Sequence, residues 1–459
     1  MSQNNNKSYT NALNREIWRI ALPCVLENLL TFAAGLVIAA MIGRLTSDEI
    51  SAQTIGNRIT GVLQSLFKGI GVGTTVLIGV SYGMGKLGKC RKLAEEMMIL
   101  MIPMSLLLSL VVAFWPVPFL RLFANDVDLI QMSIPYIRIA IWMIPAFAVS
   151  RIVTAAFTGQ GNTRTPMIIA VSMNILNAIL GYIFIFVLDL RLIGAAYALT
   201  LSYLYSMTAG LVSLYRKKGL YNGITLSDHR FKGTLSDIKG SFSTGLPASF
   251  ENMMWSAVAI IMSRALLTYG TAEFAGYQLS SQVEEFMGAP SFGLQIAATT
   301  LIAQSLGRKD LKEGGDFHRQ ITKWGILSSL PIAVILLVFA PQLMMLLTDK
   351  TDIQQVGAIY LRLAALAFLP QTLNMIDFGA IRVASSRSFP LITTIVGMWC
   401  VRVPTAALAA WVLKADIWVV FAGIAFDQVV RWGIALIYRK KKNVFWNTKR
   451  GVNDERSVI

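Results

Sequence analysis

The chain has 459 residues, of which 55% are hydrophobic and only 14% are charged, whereas soluble domains carry about 25% charged residues. This composition excludes an ordinary soluble domain. The net charge of +16 would suit a nucleic-acid partner, but the basic residues concentrate in alternate loops between apolar segments, which indicates a membrane protein instead.

Twelve apolar runs follow one another along the sequence. Each is long enough to cross a bilayer as a helix, which takes about 20 residues at about 1.5 Å each. The runs cover residues 17–42, 52–82, 93–114, 130–157, 167–188, 192–214, 242–267, 274–306, 321–346, 353–380, 391–412 and 417–437. A β-barrel would show much shorter segments with residue-by-residue alternation. The sequence therefore predicts an all-α polytopic membrane protein with twelve transmembrane helices.

The loops between these runs differ in charge. Basic residues concentrate in segments 86–92, 216–239, 308–312 and 439–442, and the intervening loops are nearly neutral. Because cytoplasmic loops carry the excess of Lys and Arg, both termini and the long central loop are predicted to be cytoplasmic, with the protein in the plasma membrane. We expect this charge to contact anionic lipid headgroups of the bilayer and no nucleic acid.

The first span contains a short pattern that recurs in the seventh. Pro23 and Glu27 have counterparts at Pro247 and Glu251, and the offset in residue number is the same for both pairs. This repeat offset also relates Tyr136, Arg138 and Pro166 to Tyr360, Arg362 and Pro390. Because the offset contains six spans, the two copies have the same orientation and are parallel repeats.

The repeat gives the predicted domain organisation. Residues 1–215 and 241–438 form two six-helix lobes, residues 216–240 form a cytoplasmic linker, and residues 439–459 form a basic cytoplasmic tail. Two such bundles that face each other leave a central cleft, which is the architecture that alternating access requires.

Proline and glycine mark where the spans bend or pack closely. Prolines inside a span leave a carbonyl without its usual partner, which favours positions that line the cleft. The prolines concerned are Pro23, Pro247, Pro290, Pro370 and Pro404. Glycines at helical spacing, Gly69, Gly71 and Gly73, indicate close packing against a neighbouring helix.

The glutamates of the two copies are the first candidates for ion coupling. Glu27 and Glu251 lie about 12 Å from the cytoplasmic edge of their spans, where a charged side chain costs roughly 2.5–3.5 kcal/mol. Such a carboxylate exchanges a proton, or holds Na⁺ when other oxygens help. The alternative is a structural role, in which the glutamate is paired with an intramembrane arginine.

Two further acidic residues lie inside spans of the second lobe. Asp377 is a candidate for cation coupling, and the alternative is an ion pair with Arg382. Asp427 and Arg431 are four residues apart on one helix face, which favours a local ion pair.

The eighth span carries Glu284 and Glu285 just before Pro290. Glu284 is a coupling candidate, and we expect one of the two side chains to face the cleft while the other pairs or reaches towards the interface. The predicted substrate cavity consists of Glu285, Gln282, Asn57, Trp255, Met254 and Arg402. The cations Arg58, Arg264 and Arg402 are structural if they pair with carboxylates, and they suit an anionic substrate if they line the cleft.

Several segments, in this order and spacing, resemble the multidrug and toxic compound extrusion (MATE) transporters over nearly the whole chain. The first span with Ile42-Gly-Arg-Leu45 is similar to that family's opening helix. The pattern Pro290-x-x-Gly293, followed by Leu301-Ile-Ala-Gln-Ser-Leu-Gly307, is similar to its eighth helix, and 158–166 to the loop after the fourth. The resemblance implies two six-helix lobes in a V shape that exchange drugs for H⁺ or Na⁺.

The sequence departs from the family at two positions. Many members carry an aspartate in the first helix where this chain has Ile38. Several carry a glutamate in the seventh helix where this chain has Trp255. Glu251 lies one turn earlier on the same face and could take over that role, so the coupling ion stays open.

The leading hypothesis is a secondary antiporter that exports amphipathic organic cations or drugs in exchange for H⁺ or Na⁺, with no cofactor and as a monomer. The segment 83–90 resembles a phosphate-binding loop but follows a membrane helix and lacks the final Ser or Thr, so an ion gradient is the expected energy source. The alternative is a flippase for lipid-linked anionic oligosaccharides of the same superfamily. An intramembrane enzyme is disfavoured, because His229 and His318 are predicted in basic loops and the cysteines are scattered.

Overall fold

The computed structural model describes residues 2–123, 126–216, 220–221 and 235–442. Nearly all of these residues are helical, and no β-strand occurs among them. The α-helices are α1 (Ser2–Ile42), α2 (Ser47–Gly83), α3 (Leu87–Phe114), α4 (Pro116–Arg121), α5 (Val127–Ala140), α6 (Met143–Gly159), α7 (Arg164–Tyr182), α8 (Arg191–Tyr215), α9 (Leu235–Leu267), α10 (Thr271–Met287), α11 (Ala289–Gly307), α12 (Leu311–Val338), α13 (Ala340–Met345), α14 (Thr351–Ala384), α15 (Phe389–Gly397), α16 (Val403–Ala407) and α17 (Ile417–Lys442). The π-helical segments Ile183–Val187, Met398–Arg402 and Leu408–Val412 continue α7, α15 and α16.

These helices make up the twelve predicted spans. In the described part of the chain, eight helices are long and apolar enough to cross a membrane, and the bent pairs α5–α6 and α10–α11 raise that number to ten. Helices α8 and α9, of 25 and 33 residues, supply the remaining two. The prediction of an all-α polytopic membrane protein is confirmed.

The sequence repeat is visible in the bounds of the helices. Helix α3 begins at Leu87 and ends at Phe114, and α12 begins and ends at the repeat-equivalent positions, Leu311 and Val338. The same offset relates both ends of α4 to those of α13, and both ends of α2 to the outer ends of the pair α10–α11. The two parallel repeats are therefore confirmed at the level of whole helices.

One bend follows a predicted proline and the other does not. Helices α10 and α11 meet at an angle of 47°, next to Pro290. Helices α5 and α6 meet at 44°, although the sequence predicted one continuous span over 130–157. The physical reason is Pro145, which has no N–H group to donate to the Ile141 carbonyl four residues earlier.

Contacts within the described residues group the chain into two units. One contains the residues up to Val25 together with those from Phe250 onwards, and we call it the C-terminal unit. The other contains Leu26–Ser249, and we call it the N-terminal unit. The boundaries between the two units fall inside α1 and α9. The lobes that the sequence repeat predicts, residues 1–215 and 241–438, stay a prediction. Most of the predicted linker and tail, residues 217–219, 222–234 and 443–459, lies outside the described part.

Each unit has its own buried core. Phe67, Met97 and Met101 are fully buried in the N-terminal unit, as are Phe368 and Phe421 in the C-terminal unit. Many large apolar side chains on the outer helix faces stay exposed. Exposed apolar faces of this extent suit contact with lipid tails, so packing between helices stabilises each unit more than removal of apolar surface from water.

Small residues let α2 approach the start of α9 within the N-terminal unit. A Cβ atom added at Gly69 would overlap the backbone of Ser249, and one added at Gly73 would overlap Ser241 and Gly245. The close packing predicted for Gly69 and Gly73 is therefore confirmed.

Candidate functional site

A cavity of about 440 Å³ lies in the C-terminal unit, lined by residues of α9, α10, α11, α14 and α17 and by Arg402. Its volume falls within the range of about 300–1,000 Å³ that is typical of small-molecule sites. Its wall combines aromatic side chains with charged ones, and the charged lining residues are Glu251, Glu284, Glu285, Arg402 and Arg431.

The break between α10 and α11 positions the first two carboxylates. Glu284 and Glu285 occupy the last turn of α10, and the Gly288 N–H group donates to the Glu284 carbonyl at 2.8 Å. The C-terminal end of a helix carries a partial negative charge, so two carboxylates at this end favour a bound cation. Both side chains line the cavity, whereas the sequence predicted that only one would.

Aromatic side chains surround Glu284. The Tyr360 hydroxyl donates a hydrogen bond to Glu284 Oε2 at 2.5 Å. The Tyr277 ring packs edge-on against the Tyr360 ring, with 5.1 Å between the ring centroids. This wall can hold a flat organic group, and its ring faces attract cations.

Glu251 lines the same cavity but is bound to an arginine. Arg382 Nη2 lies 2.6 Å from Glu251 Oε2, and the two side chains are 7% and 13% exposed. The structure thus contains the ion pair that the sequence left open as the structural alternative. The carboxylate also faces the cavity, so it is within reach of a ligand.

A second charged group joins two helices. Arg431 Nε lies 2.9 Å from Asp427 Oδ1, which confirms the predicted local pair, and Arg402 Nη2 adds a contact of 2.7 Å to Asp427 Oδ2. Both guanidinium groups lie over the Trp255 ring, at 5.4 Å for Arg402 and 5.0 Å for Arg431. Trp255 therefore stacks with two arginines at the cavity wall.

The local helix geometry aims Arg402 at this group. Arg402 closes the π-helical segment that starts at Met398, and the Val403 N–H group donates to the Met398 carbonyl five residues earlier. Pro404 follows and cannot donate a backbone hydrogen bond. A π-helical turn widens the helix and occurs often at functional sites.

Asp377 does not line the cavity, and its predicted alternative partner is wrong. Its Oδ1 atom lies 2.8 Å from His318 Nε2 and 2.9 Å from Arg439 Nη1, while Arg382 binds Glu251. The prediction that His318 lies in a basic loop is also wrong. Asp310 caps α12, which begins at Leu311, so His318 lies inside a helix, where it is buried beside Asp377 of α14. His229 lies outside the described residues.

The N-terminal unit holds the candidates of the first repeat in smaller, separate spaces. Glu27 and Arg151 line a cavity of about 20 Å³. Asn57 and Ile38 line another of about 120 Å³, where the Tyr136 hydroxyl donates to Asn57 Oδ1 at 2.7 Å. Tyr136 is the repeat counterpart of Tyr360, so one tyrosine binds a neutral amide where the other binds a carboxylate.

The remaining candidates do not line the cavity of the C-terminal unit. Gln282 and Met254 are absent from its wall, and Arg58 and Arg264 are exposed elsewhere. The sequence predicts Trp255, Glu285 and Arg402 at a cavity, but it assigns neither Tyr360 nor Arg431 to one. The signals were present, since Tyr360 belongs to the repeat and Arg431 is paired with Asp427. Among the described residues, no three His, Cys, Asp or Glu side chains come together as a metal site.

Known proteins resemble the chain over nearly its whole length. Solved structures with the same fold include a MOP superfamily transporter from Pyrococcus furiosus, described as having a binding pocket of reverse polarity that suggests a different function. It is 20% identical, with a TM-score of 0.85 and coverage of 94% of this chain and 96% of that one. A crystal structure of MATE in complex with MaL6 is 19% identical, with a TM-score of 0.88 and the same coverage.

Relatives by sequence carry names that refer to drug resistance. The probable multidrug resistance protein NorM of Thermotoga maritima is 24% identical over 438 residues, which covers 93% of this chain and 92% of that protein. The probable multidrug resistance protein YoeA of Bacillus subtilis is 23% identical over 445 residues, which covers 93% and 95%. The MatE family model matches residues 23–183 and again 247–408, and the two matches start at the equivalent prolines of the sequence repeat. The chain therefore belongs to the MatE family of multidrug efflux transporters.

Proposed function

We propose that the protein is a secondary antiporter that exports amphipathic organic cations in exchange for H⁺ or Na⁺ by alternating access. The observation that carries this proposal is the convergence of Glu251, Glu284 and Glu285 on one cavity that also has aromatic walls. The names of the relatives, which refer to multidrug resistance, support the substrate class.

Exchange follows if the coupling ion and the organic cation compete for the same carboxylates. An organic cation is attracted by Glu284 and Glu285 at the negative end of α10 and by the faces of Tyr277 and Tyr360. A proton or Na⁺ on those carboxylates cancels the charge that holds it. Binding of one cation therefore releases the other, and the gradient of the coupling ion sets the direction of transport.

Glu284 is better placed than Glu251 for this exchange. The contact to Glu284 is a neutral tyrosine hydroxyl, whereas Glu251 is tied to the guanidinium of Arg382. A cation that binds Glu251 must displace a buried positive charge, which then needs another partner. We assign the first role in coupling to Glu284, and a second to Glu251 when Arg382 moves.

A flippase for lipid-linked anionic oligosaccharides is the second candidate. It is favoured by Arg402 and Arg431 at the cavity wall, and the P. furiosus transporter with a pocket of reverse polarity shares the fold. Two observations count against a flippase. Asp427 neutralises the charge of one of the two arginines, and three carboxylates lie in the same cavity wall. In addition, the cavity volume of about 440 Å³ suits one drug-sized molecule. The antiporter is the better match.

The charge asymmetry of the loops supports a plasma-membrane location with both termini in the cytoplasm. We propose that the protein acts as a monomer, with the cavity of the C-terminal unit as its transport site.

Transport in sealed inside-out vesicles with an imposed pH or Na⁺ gradient tests the proposal. Glu284→Gln should lower gradient-driven uptake of a fluorescent organic cation by about tenfold or more, because a charge-assisted contact contributes about 1.5–3 kcal/mol. The melting temperature should not change, since the Tyr360 hydroxyl can still donate to the amide oxygen. Glu251→Gln should lower uptake as well, and also the melting temperature, because Arg382 loses its partner.

Glu273→Gln is the matched control, because Glu273 lies in the first turn of the same helix and does not line the cavity. It should transport like the parent. If both Glu284→Gln and Glu251→Gln take up the fluorescent cation like the parent and with the same dependence on the gradient, neither glutamate belongs to the coupling site.

A further inference from the structure

A second group of polar side chains surrounds the cavity of about 20 Å³ in the N-terminal unit. Glu27 of α1 and Arg151 of α6 line it, together with the hydroxyl-bearing residues Ser150, Thr154 and Ser206. No direct ion pair joins Glu27 to Arg151 among the described residues, although the two charges lie within electrostatic range of each other. An acid and a base therefore face one small space without touching.

Two polar atoms at this space lack a protein partner. Within the part of the chain that the structure describes, Arg151 Nε and Ser150 Oγ are buried and form no hydrogen bond. A buried polar atom without a partner lowers stability, and ordered water commonly supplies the partner in native proteins. The two atoms therefore indicate a small hydrogen-bonding ligand between α1 and α6.

The volume and the charge of the space select that ligand. One water molecule needs about 10–15 Å³, so a cavity of about 20 Å³ holds one water and no larger molecule. Arg151 repels a cation and Glu27 repels an anion, which disfavours an ion of either sign. A water molecule suits both groups, because it accepts a hydrogen bond from Arg151 Nε and donates one to the Glu27 carboxylate.

Polar contacts of this kind matter for the attachment of α1. No residue from Leu26 to Ile42 is buried, so this part of α1 gains little from packing in the N-terminal unit. A direct hydrogen bond attaches it to α7, where Asn174 Nδ2 donates to Thr31 Oγ1 at 3.0 Å. A bridge at Glu27 adds an attachment to α6.

We propose that this cavity binds one water molecule, which bridges the Glu27 carboxylate to Arg151 Nε and attaches α1 to α6 by a water-mediated ion pair. The Ser150 hydroxyl supplies a third hydrogen bond, which matches the number of about three that a buried water usually makes. The repeat-equivalent glutamate, Glu251, binds its arginine directly instead. The inference goes beyond the proposed function, since it concerns neither the cavity of the C-terminal unit nor the coupling ion.

Hydroxyl-radical labelling by X-ray radiolysis, read by mass spectrometry, detects such a water directly. Radicals formed from a bound water modify the side chains next to it, and Phe157 lines the cavity although it is only 3% exposed. The purified full-length protein should therefore carry label on Phe157. Phe67 is the matched control, because it is buried in the core of the same unit outside this cavity, and it should stay unlabelled. An unlabelled Phe157 would overturn the proposal.

A double-mutant cycle tests the coupling of the two charges. Glu27→Gln and Arg151→Gln each leave one charge without its counter-charge, and each should lower the melting temperature by about 2 °C. The double variant has two neutral amides that the same water can bridge, so its loss should be clearly smaller than the sum of the single losses. The control combines Glu27→Gln with Arg164→Gln, an exposed arginine outside the cavity, and should be additive. Additive losses for Glu27 and Arg151 would contradict the bridge.

Replacement of the salt distinguishes water from an ion. The melting temperature of the parent should not change when choline replaces Na⁺ or gluconate replaces Cl⁻. A dependence on either ion that Glu27→Gln abolishes would overturn the assignment of water. If Arg151→Gln does not fold, the labelling of the parent and the salt replacement decide the question. Because no gradient is applied, a failure of ion-coupled transport leaves these results intact.

Discussion

The role of Asp377 depends on the side chains that bind its carboxylate. The sequence predicts either cation coupling or an ion pair with Arg382. In the structure, His318 and Arg439 from two other helices bind the carboxylate instead. The three side chains tie α12, α14 and α17 together. This contact set suits a structural role, and the predicted role of Asp377 in coupling stays a prediction.

Asp377→Asn separates the two roles. It removes the charge at constant shape, so Arg439 loses its ion pair, and we expect a loss of about 1–3 kcal/mol in the free energy of unfolding. A thermal melt of the detergent-solubilised protein should therefore shift down by several degrees while vesicle transport persists. Asp352→Asn, an exposed site on the same helix, is the control and should melt like the parent. An unshifted melt with loss of transport would assign Asp377 to coupling instead.

At the level of residues, the sequence predicts which charges matter better than it predicts their partners. An isolated carboxylate in an apolar run can be recognised from the sequence alone. The same is true of the pair Asp427–Arg431, whose members are four residues apart. The partner of Glu251 is 131 residues away in the chain. The fold brings Arg382 of α14 to Glu251 of α9, and a contact between residues so far apart in the chain leaves no periodic signal in the sequence.

Helix bounds and bends follow local chemistry where proline, glycine or a cap is present. Thr46 caps α2 through a capping box with Glu49, and Asp126 and Asp310 cap α5 and α12. The bend between α10 and α11 follows from Pro290. The sequence pattern predicts one span over 130–157, whereas Pro145 interrupts the backbone hydrogen bonding there and the helices bend by 44°. Pro370 lies inside α14, so proline alone does not decide where a span breaks.

The close approach of α2 to α9 can be tested with a pair of glycine substitutions on one helix. Gly69→Ala places a methyl group on the backbone of Ser249, and the required shift should cost about 1–3 kcal/mol or more. Gly61→Ala meets no atom within 4 Å, and alanine is the better helix former by up to about 1 kcal/mol. In thermal melts the first variant should fall below the parent, and the second should match or exceed it. Equal melts for both variants would contradict the packing.

At the scale of the whole molecule, the two repeats share their arrangement of helices but differ in the residues that line their cavities. The bounds of α2, α3 and α4 recur in α10–α11, α12 and α13 with one constant offset, but the large cavity with its five charged lining residues lies in the C-terminal unit. Its repeat counterpart at Asn57 and Tyr136 is neutral and measures about 120 Å³. Duplication thus preserved the spans and their packing, while substitution of single residues gave the copies different charges.

This asymmetry explains which parts of the molecule were predictable. The spans and the repeat depend on long apolar runs and on Pro, Glu and Tyr at fixed spacing, so the sequence alone predicts them. The sequence repeat also predicts the same role, cation coupling, for Glu27 and Glu251. Their surroundings differ because the neighbours are not repeated, since the position equivalent to Arg382 is Thr158 and the one equivalent to Arg151 is Met375.

The difference between the copies gives a final prediction about coupling. Glu27 lines a space of about 20 Å³ beside Arg151, which holds about one water molecule and no organic ligand. Glu27→Gln should therefore keep gradient-driven uptake close to that of the parent, in direct comparison with Glu284→Gln, which should lose it. Both substitutions are isosteric, so the same vesicle preparation and the same fluorescent cation serve for both. If Glu27→Gln abolishes uptake while Glu284→Gln retains it, coupling belongs to the first repeat, and the charged cavity of the second serves substrate recognition alone.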